Sequence, residues 1–260
     1  MNLHLNNKII IVTGGASGIG ESICMKLAEE GAIPCILDRS ETNMHSITKK
    51  IKVKYQIEPF FELTELTDLA ACKSSIDKIL LKFGRIDGLV NNAGLNDGVG
   101  LENGNYDKFV ASLDTNVVHY YTMAKYTLNA LQRSKGSIVN ICSKTAITGQ
   151  GGTSGYAAAN GERLGLTNDW AIELAPFDIN VNAVVVAECW TPQYEWWINQ
   201  QPYPEKKLEE ITAKIPLENR MTTTDEIADT VLFLLSENSK SINGQFLFVD
   251  GGYVFLDRKI

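Results

Sequence analysis

The fold is decided near the start of the chain by residues 8–20, which read Lys8-Ile-Ile-Ile-Val-Thr-Gly-Gly-Ala-Ser-Gly-Ile-Gly20. The apolar, β-branched run at residues 8–12 predicts a short strand that is buried on both faces. Residues 21–30 have a helical pattern, so the glycine-rich turn joins a strand to a helix. Such a turn lets backbone approach a phosphate closely, and the helix N-terminus adds free amides and a favourable dipole. The stretch therefore predicts a dinucleotide-binding βα unit.

The rest of the chain repeats this alternation of short apolar strands and helices. Further strands are predicted at residues 33–37, 58–62, 86–90, 136–142, 179–186 and 244–252. Helices are predicted at residues 69–83, 106–133, 154–175 and 225–236. Strands that alternate with helices predict an α/β fold with a parallel sheet.

Composition excludes several classes of protein. The chain has 260 residues, of which 44% are hydrophobic, and its net charge is −7. It is long enough for one large domain or two small ones, and without a basic cluster we expect no nucleic acid partner. No apolar run reaches the roughly 20 residues of a membrane span, and we expect no secretory signal. Five scattered cysteines predict reduced thiols and a cytoplasmic location, and three distant histidines predict no metal site.

A second glycine-rich stretch, residues 143–161, joins a predicted strand to a predicted helix. It reads Ser143-Lys-Thr-Ala-Ile-Thr-Gly-Gln-Gly-Gly-Thr-Ser-Gly-Tyr-Ala-Ala-Ala-Asn-Gly161. The loop brings the hydroxyls of Ser143 and Tyr156 toward one another. A phenol can exchange a proton with an alcohol or carbonyl, while a serine hydrogen-bonds the same oxygen as its charge changes. Asn160 lies one helical turn after Tyr156, so the two side chains share a face.

Asp38 ends the second predicted strand, 24 residues after Gly14 (38 − 14). A carboxylate there can accept hydrogen bonds from the adenosine ribose and would repel a 2′-phosphate, which favours NAD over NADP. The alternative is that Asp38 caps the following helix. Arg39 comes next and would soften the discrimination, so NADP stays open as a second cofactor.

These motifs resemble those of the short-chain dehydrogenase/reductase family. The shared motifs are Thr-Gly-x-x-x-Gly-x-Gly at residues 13–20, Asn91-Asn-Ala-Gly94, Ser143 followed by Tyr156, and Val249-Asp-Gly-Gly252. The resemblance implies a single domain over residues 1–260, built as a Rossmann-type doubly wound parallel sheet of about seven strands flanked by helices. It also implies a homotetramer or homodimer with contacts through the helices at residues 106–133 and 154–175.

The resemblance also implies which residues hold the dinucleotide. They are Gly14, Ser17, Gly18, Ile19, Gly20, Asp38, Arg39, Glu65, Leu66, Asn92, Ala93, Gly94, Tyr156, Asn160 and Thr191. Two places depart from the family pattern. Glu65 replaces the aspartate that often borders the adenine, with Asp68 expected to cap the next helix. Val186-Ala187 replaces a Pro-Gly pair before Thr191.

By the same resemblance the catalytic residues are Asn116, Ser143, Tyr156 and Asn160. Asn116 is expected to hold a water in a proton relay. In the family a lysine stands at position 160, where its charge stabilises the tyrosinate and its donors hold the nicotinamide ribose. Asn160 can bond the ribose but carries no charge, so we expect a rate lowered by about one to three orders of magnitude at neutral pH. Lys144 could substitute if it faced inward, but strand alternation predicts that it does not.

A narrower likeness connects the chain with the bacterial L-fucose dehydrogenases of this family. It rests on residues 13–20, Asn92-Ala-Gly-Leu-Asn-Asp97, Ser143-Lys-Thr-Ala146, Thr148-Gly-Gln-Gly151, Ala187-Glu188 and Asp250-Gly-Gly-Tyr253. Those enzymes oxidise L-fucose and related aldoses at the anomeric carbon to a lactone. The implied substrate contacts are Asn96, Ser143, Gln150, Tyr156, Glu188 and Trp197. The aromatic segment at residues 193–214 is expected to be a lid over the substrate, or else to pack onto the core.

Three functions remain open at this point. The first is an NAD(P)-dependent oxidation of an aldose, weakened by Asn160. The second is an oxidoreductase for a non-sugar alcohol or ketone, such as a 3-oxoacyl chain or a steroid. The third is a nucleotide-binding pseudoenzyme with a structural or regulatory role.

Overall fold

A single parallel sheet forms the centre of the protein. The computed structural model describes residues 2–256. Its seven strands are β1 (Ile9–Thr13), β2 (Ile33–Asp38), β3 (Phe60–Leu63), β4 (Gly88–Asn91), β5 (Ser137–Ser143), β6 (Asn180–Val186) and β7 (Phe246–Val249). They lie in the order β3-β2-β1-β4-β5-β6-β7, and each neighbouring pair is parallel. The predicted α/β class and doubly wound sheet are confirmed.

Helices cover both faces of this sheet. They are α1 (Gly18–Glu29), α2 (Glu41–Tyr55), α3 (Leu69–Phe83), α4 (Tyr106–Leu113), α5 (His119–Ser134), α6 (Ser154–Leu174), α7 (Pro192–Asn199), α8 (Pro204–Thr212) and α9 (Thr224–Leu235). One core lies under α1, α2 and α9, and the other lies under α3, α5 and α6. Strand β1 contributes to both, because Ile10 and Val12 face the first core while Ile9 and Ile11 face the second. This explains why the strand is apolar at successive positions.

The order of the strands places the functional site. The chain moves outward from β1 to β3 on one side, then returns to β4 and moves outward to β7 on the other. In sheets of this kind, ligands bind at the carboxyl ends of the strands, where the winding direction reverses. That point lies between β1 and β4, and the glycine turn after Thr13 and the segment after Asn91 meet there.

Several boundaries differ from the sequence expectation for local reasons. Helix α3 spans 69–83 as predicted, and the carboxylate of Asp68 accepts the N–H groups of Ala70 and Ala71. The helix predicted at 106–133 is instead two helices joined by a π-helical turn at Asp114–Val118. A single widened turn leaves the apolar periodicity on both sides almost intact, so the sequence pattern did not reveal it.

Within residues 2–256, no helix combines the length and apolarity needed to cross a membrane. No group of three or more His, Cys, Asp or Glu side chains in this range is arranged to hold a metal ion.

The buried histidine His119 makes the fold sensitive to acid. It is 1% exposed, and neither ring nitrogen makes a well-formed hydrogen bond within the described chain. Burial, reinforced by the nearby Arg163 charge, lowers the pKa of His119 from 6.5 to about 3. The unfolded chain therefore takes up this proton first as the pH falls, and stability is lost from about pH 6.5 downward.

We expect the His119→Leu variant to lose less stability in acid than the unmodified protein. At pH 5 this histidine lowers the free energy of unfolding by about 2 kcal/mol relative to its contribution at pH 8. Leucine is similar in volume and has no proton to take up. Urea unfolding at pH 8 and pH 5 measures the difference, with His45→Leu as the control because His45 is exposed. An equal loss of unfolding free energy between pH 8 and pH 5 in all three proteins would contradict the assignment of this acid sensitivity to His119.

Candidate active site

The glycine turn after β1 is shaped by close backbone contacts. Gly14 and Gly18 have φ angles of +61° and +56°, in the left-handed region that favours glycine. A Cβ on Gly20 would lie 2.1 Å from the Gly14 carbonyl oxygen and 2.7 Å from Asn92 Nδ2. Asn92 Nδ2 donates to the carbonyl oxygens of Thr13 (2.9 Å) and Gly14 (3.1 Å), which fixes the turn against the end of β4. The turn therefore offers bare backbone at the N-terminus of α1, which fits a pyrophosphate.

Other predicted dinucleotide contacts surround this turn. Ser17 is exposed and precedes α1 without a side-chain cap, Ile19 is half-buried, and Ala93 donates its N–H to Thr13 Oγ1. Thr191 lies opposite, because a Cβ on Gly18 would stand 3.6 Å from the Cβ of Thr191. The structure thus brings Thr191, predicted to bond the nicotinamide carboxamide, next to the glycine turn.

Asp38 lies at the carboxyl end of β2, beside the glycine turn. Its Oδ2 accepts the Ala16 N–H (3.0 Å) and its Oδ1 accepts the Ser40 N–H (2.9 Å). Helix α2 is capped by Ser40, so Asp38 is not the cap. The carboxylate is half-buried, and each of its oxygens retains acceptor capacity for a ribose hydroxyl.

Three further residues lie near the expected adenosine end. Arg39 and Glu65 are exposed, and Leu66 is half-buried. Glu65 accepts hydrogen bonds from the N–H and hydroxyl of Thr67 (3.2 and 3.0 Å), so its carboxylate is held within its own turn.

The serine and tyrosine predicted to be catalytic, Ser143 and Tyr156, are joined through Asn160. The Ser143 N–H, at the end of β5, donates to Asn160 Oδ1 (2.8 Å). Asn160 Nδ2 donates to the carbonyl oxygen of Tyr156 (2.8 Å), in the first turn of α6. One carboxamide therefore fixes the strand that carries Ser143 against the helix that carries Tyr156. Asn160 is fully buried, and these bonds direct its polar atoms toward the protein rather than toward a ribose.

Arg163 is a buried cation that the motif-based prediction did not include. It is 2% exposed and lies three residues after Asn160 on the same face of α6. Its Nη1 donates to Asn160 Oδ1 (3.0 Å) and to the Ile141 carbonyl oxygen (3.1 Å). Its Nε and Nη2 both donate to the Asn116 carbonyl oxygen, the first at 2.8 Å. The sequence did carry a signal, since a charged residue follows Tyr156 and Asn160 at helical spacing.

Asn116 lies in the π-helical turn and is fully buried. Its Oδ1 accepts the Leu95 N–H (2.8 Å), and its Nδ2 donates to the Ser112 carbonyl oxygen (3.0 Å). The backbone carbonyl oxygen of Asn116 already accepts two N–H groups of Arg163, and these occupy both of its lone pairs. The side chain thus holds the loop after β4, and its expected role in holding a water stays a prediction.

A buried ion pair joins the segments that follow β5 and β6. Lys144 is 7% exposed and pairs with Glu188, and its ammonium lies 3.9 Å from the ring centroid of Tyr253. The expectation that Lys144 faces away because of strand alternation is wrong. Lys144 begins a 3₁₀ turn beyond β5, where the period of two no longer applies. Its charge is used by Glu188, so it is not a free replacement for the missing lysine.

Two aromatic side chains extend this cluster toward α7. Tyr194 donates its hydroxyl to Glu188 Oε2 (2.8 Å), and its ring lies edge-on to Trp197, with 5.4 Å between centroids. Burial, followed by the Glu188 charge, raises the pKa of Tyr194, so it remains a phenol donor. Glu188 and Trp197, predicted as sugar contacts, therefore lie in one cluster.

The two remaining predicted sugar contacts, Asn96 and Gln150, lie on exposed loops. Asn96 Oδ1 accepts the Gly98 N–H (3.3 Å) within its own loop. The two loops pass close to each other, because the Gly155 N–H donates to the Val99 carbonyl oxygen (3.1 Å). Neither side chain is brought into hydrogen bonding with the Glu188 cluster.

This fold and site define a nucleotide-dependent oxidoreductase, and comparison with known proteins gives the family. The model of the enoyl-(acyl carrier protein) reductase family matches residues 14–254. The 3-oxoacyl-[acyl-carrier-protein] reductase FabG of Thermotoga maritima is 34% identical over 254 residues, with 97% of this chain and 100% of that protein covered. The L-fucose dehydrogenase of Bos taurus is 30% identical over 253 residues, with 97% and 91% covered.

Solved structures agree with these relatives. The structure of Cj0485 dehydrogenase is 42% identical with a TM-score of 0.94, covering 100% of this chain and 99% of that one. The structure of an NAD⁺-bound xylitol dehydrogenase is 26% identical with a TM-score of 0.88, covering 96% and 100%. The chain belongs to the short-chain dehydrogenase/reductase family and is an NAD(P)-dependent oxidoreductase.

We expect Gly20→Ala to weaken dinucleotide binding by at least about tenfold, because the new methyl group must displace the Gly14 carbonyl. Titration with NAD measures the affinity. Gly165→Ala is the matched control, since Gly165 lies in α6 with nothing within 4 Å of a Cβ. The control should keep its affinity and gain about 0.5–1 kcal/mol of stability. Equal affinities for both variants would refute a close-contact role for Gly20.

We expect Asp38→Asn to shift the ratio of NAD to NADP affinities by about tenfold toward NADP, because it removes a negative charge near the expected 2′-phosphate. Asp68→Asn is the control, because Asp68 caps α3 and should leave the ratio unchanged. Dissociation constants for both nucleotides give the ratio. An unchanged ratio in Asp38→Asn would show that this carboxylate does not select the cofactor.

Proposed function

We propose that this protein oxidises a hydroxyl of a polyhydroxylated small molecule, L-fucose or a related aldose at its anomeric carbon, with NAD as the hydride acceptor and NADP as a possible substitute. The observation that carries the proposal is the Asn160 carboxamide, which fixes Ser143 against Tyr156 near the reversal point of the sheet. Bound NAD would supply the electrophilic carbon that receives the hydride. The lactone is the two-electron oxidation product of the cyclic aldose.

The residues at the site divide the remaining work. Tyr156 is half-buried and takes the proton of the substrate hydroxyl. Ser143 hydrogen-bonds the same oxygen, and its Oγ is oriented by accepting the Thr145 N–H (3.2 Å). Asp38 holds the adenosine ribose, which supports NAD as the cofactor.

The polar cluster around Glu188 supports a hydroxyl-rich substrate. The Glu188 carboxylate, the Tyr194 phenol and the side-chain amides of the predicted contacts Asn96 and Gln150 are groups that can each hydrogen-bond a sugar hydroxyl that loses its water. We propose that residues 193–214, which contain all but the first residue of α7 and the whole of α8, act as a lid held to the core by the bond between Tyr194 and Glu188. The similarity to an L-fucose dehydrogenase and a xylitol dehydrogenase also supports this substrate class.

We also propose a cytoplasmic homotetramer or homodimer. Five buried cysteines without disulfides support a reducing compartment. Exposed apolar side chains on α4 and α6 support subunit contacts there. They are Tyr106, Phe109, Val110 and Ile172.

A second candidate is the reduction of a 3-oxoacyl substrate, which the name of the Thermotoga maritima relative favours. Such a substrate presents a long apolar chain, whereas the cluster at Glu188 contains a buried ion pair. We therefore rank the aldose first. The same assay separates the two candidates if it includes a 3-oxoacyl thioester with reduced cofactor.

We expect the unmodified protein to reduce NAD with at least one aldose between pH 7 and pH 10, and Tyr156→Phe to lose at least about 100-fold in kcat while still binding NAD. Tyr55→Phe is the control, because Tyr55 ends α2 and its hydroxyl contacts the surface residue Glu29 (3.5 Å). Turnover of the thioester alone would favour the second candidate. NAD binding without any turnover would point to a pseudoenzyme.

A further inference from the structure

Arg163 is a buried cation whose position is not explained by a contribution to the stability of the fold alone. Its side chain is nearly fully buried, and among residues 2–256 it forms no ion pair with a carboxylate. Burying a charge is unfavourable unless dipoles or an opposite charge compensate for it. Here the compensation comes from three oxygens: the carbonyls of Asn116 and Ile141 and the Oδ1 of Asn160. The fold therefore maintains a net positive charge next to Asn160, the residue that links Ser143 with Tyr156.

The surroundings leave this charge unneutralised. The titratable side chains that face the guanidinium are His119 and Tyr120 on α5 and Cys142 on β5. Burial lowers the pKa of His119 to about 3 and raises those of Tyr120 and Cys142, so all three are neutral near pH 7. Lys144, the other buried cation of the candidate site, has its partner in Glu188.

Two connections lead from Arg163 toward Ser143 and Tyr156. The first runs through Asn160, whose Oδ1 accepts both the guanidinium and the Ser143 N–H, and whose Nδ2 bonds the Tyr156 carbonyl. Hydrogen bonds in such a chain polarise one another. The second runs through Tyr120, whose ring centroid lies 4.3 Å from the guanidinium carbon. Charges on Arg163 and Tyr156 shift the pKa of Tyr120 in opposite directions, so both act on the same buried phenol.

The inference depends on the proposed function of this site. We propose that Arg163 is a positioning residue that supplies the positive charge absent at position 160, and that Asn160 and Arg163 together replace a single lysine. Arg163 orients the Asn160 carboxamide and stabilises the negative charge of the Tyr156 phenolate, which is present before the phenolate takes the substrate proton and is neutralised when it does. The uncharged Asn160 is then not a defect, because Arg163 Nη1 already lies 3.0 Å from the side chain at position 160, and a cation there would bring two like charges close together.

The test moves the charge between the two positions. Four proteins are compared: the unmodified chain, Arg163→Gln, Asn160→Lys and the double variant with both changes. Arg163→Lys is the conservative variant, and Arg133→Gln is the control, because Arg133 is an exposed arginine on α5. Each protein is measured for its urea unfolding, its affinity for NAD and its rate with the best aldose from pH 6 to pH 10.

We expect Arg163→Gln to lose about 30-fold or more in kcat at pH 7 and much less at pH 10, where solvent hydroxide helps to remove the proton. Arg163→Lys should keep most of the rate of the unmodified chain between pH 6 and pH 10. Asn160→Lys alone should be less stable and slower than the unmodified chain, because of the repulsion between its two cations. The double variant should recover to within about threefold of the unmodified rate at pH 7.

A loss in Arg163→Gln that is equal at every pH, or a double variant no faster than Arg163→Gln, would overturn the inference. If Arg163→Gln does not fold, the comparison of Asn160→Lys with the double variant still decides. If the unmodified chain oxidises no substrate, the proposed function fails and the unfolding data decide the inference. In that case strictly additive effects of the two substitutions on stability would overturn it, and a double variant more stable than the sum of the two single effects predicts would support it.

Discussion

The hydrogen bonds of one buried carboxamide hold the reactive centre of this protein together. Asn160 accepts the Ser143 N–H and an N–H of Arg163, and it donates to the carbonyl of Tyr156. These bonds connect the end of β5 with two successive turns of α6. Because the strand belongs to the central sheet, these bonds fix the position of the helix that carries the phenol relative to the sheet. The positions of both hydroxyls depend on this link.

Space for the guanidinium is created by elements that are distant in sequence. A Cβ on Gly94 would lie 2.8 Å from Arg163 Nη2, so glycine at this position makes room for the side chain. The π-helical turn presents the carbonyl of Asn116 to the same guanidinium. The loop after β4, the turn between α4 and α5, and helix α6 thus meet at one cation. This explains why a charged residue is accepted in a part of the core that is otherwise uncharged.

The sequence was sufficient for the fold because its local signals agree with one another. Residues 8–20 predicted the first strand, the glycine turn and the helix, and Asp68 predicted the start of α3, as the structure shows. Arg163 was missed because a resemblance transfers roles only to motif positions, and position 163 lies outside the motif. The orientation of Lys144 was misjudged because strand periodicity was extended one residue past the end of β5. Both depend on contacts between segments, which local patterns do not encode.

The ion pair between Lys144 and Glu188 has a consequence for molecular recognition. Its two charges cancel, so this buried part of the candidate site presents polarity without net charge. An uncharged ring meets no electrostatic penalty there, whereas an amino sugar or a uronic acid would bring an unbalanced charge to a desolvated surface. The net charge of a sugar can therefore decide whether it binds here, independently of the hydrogen bonds that its individual hydroxyls make.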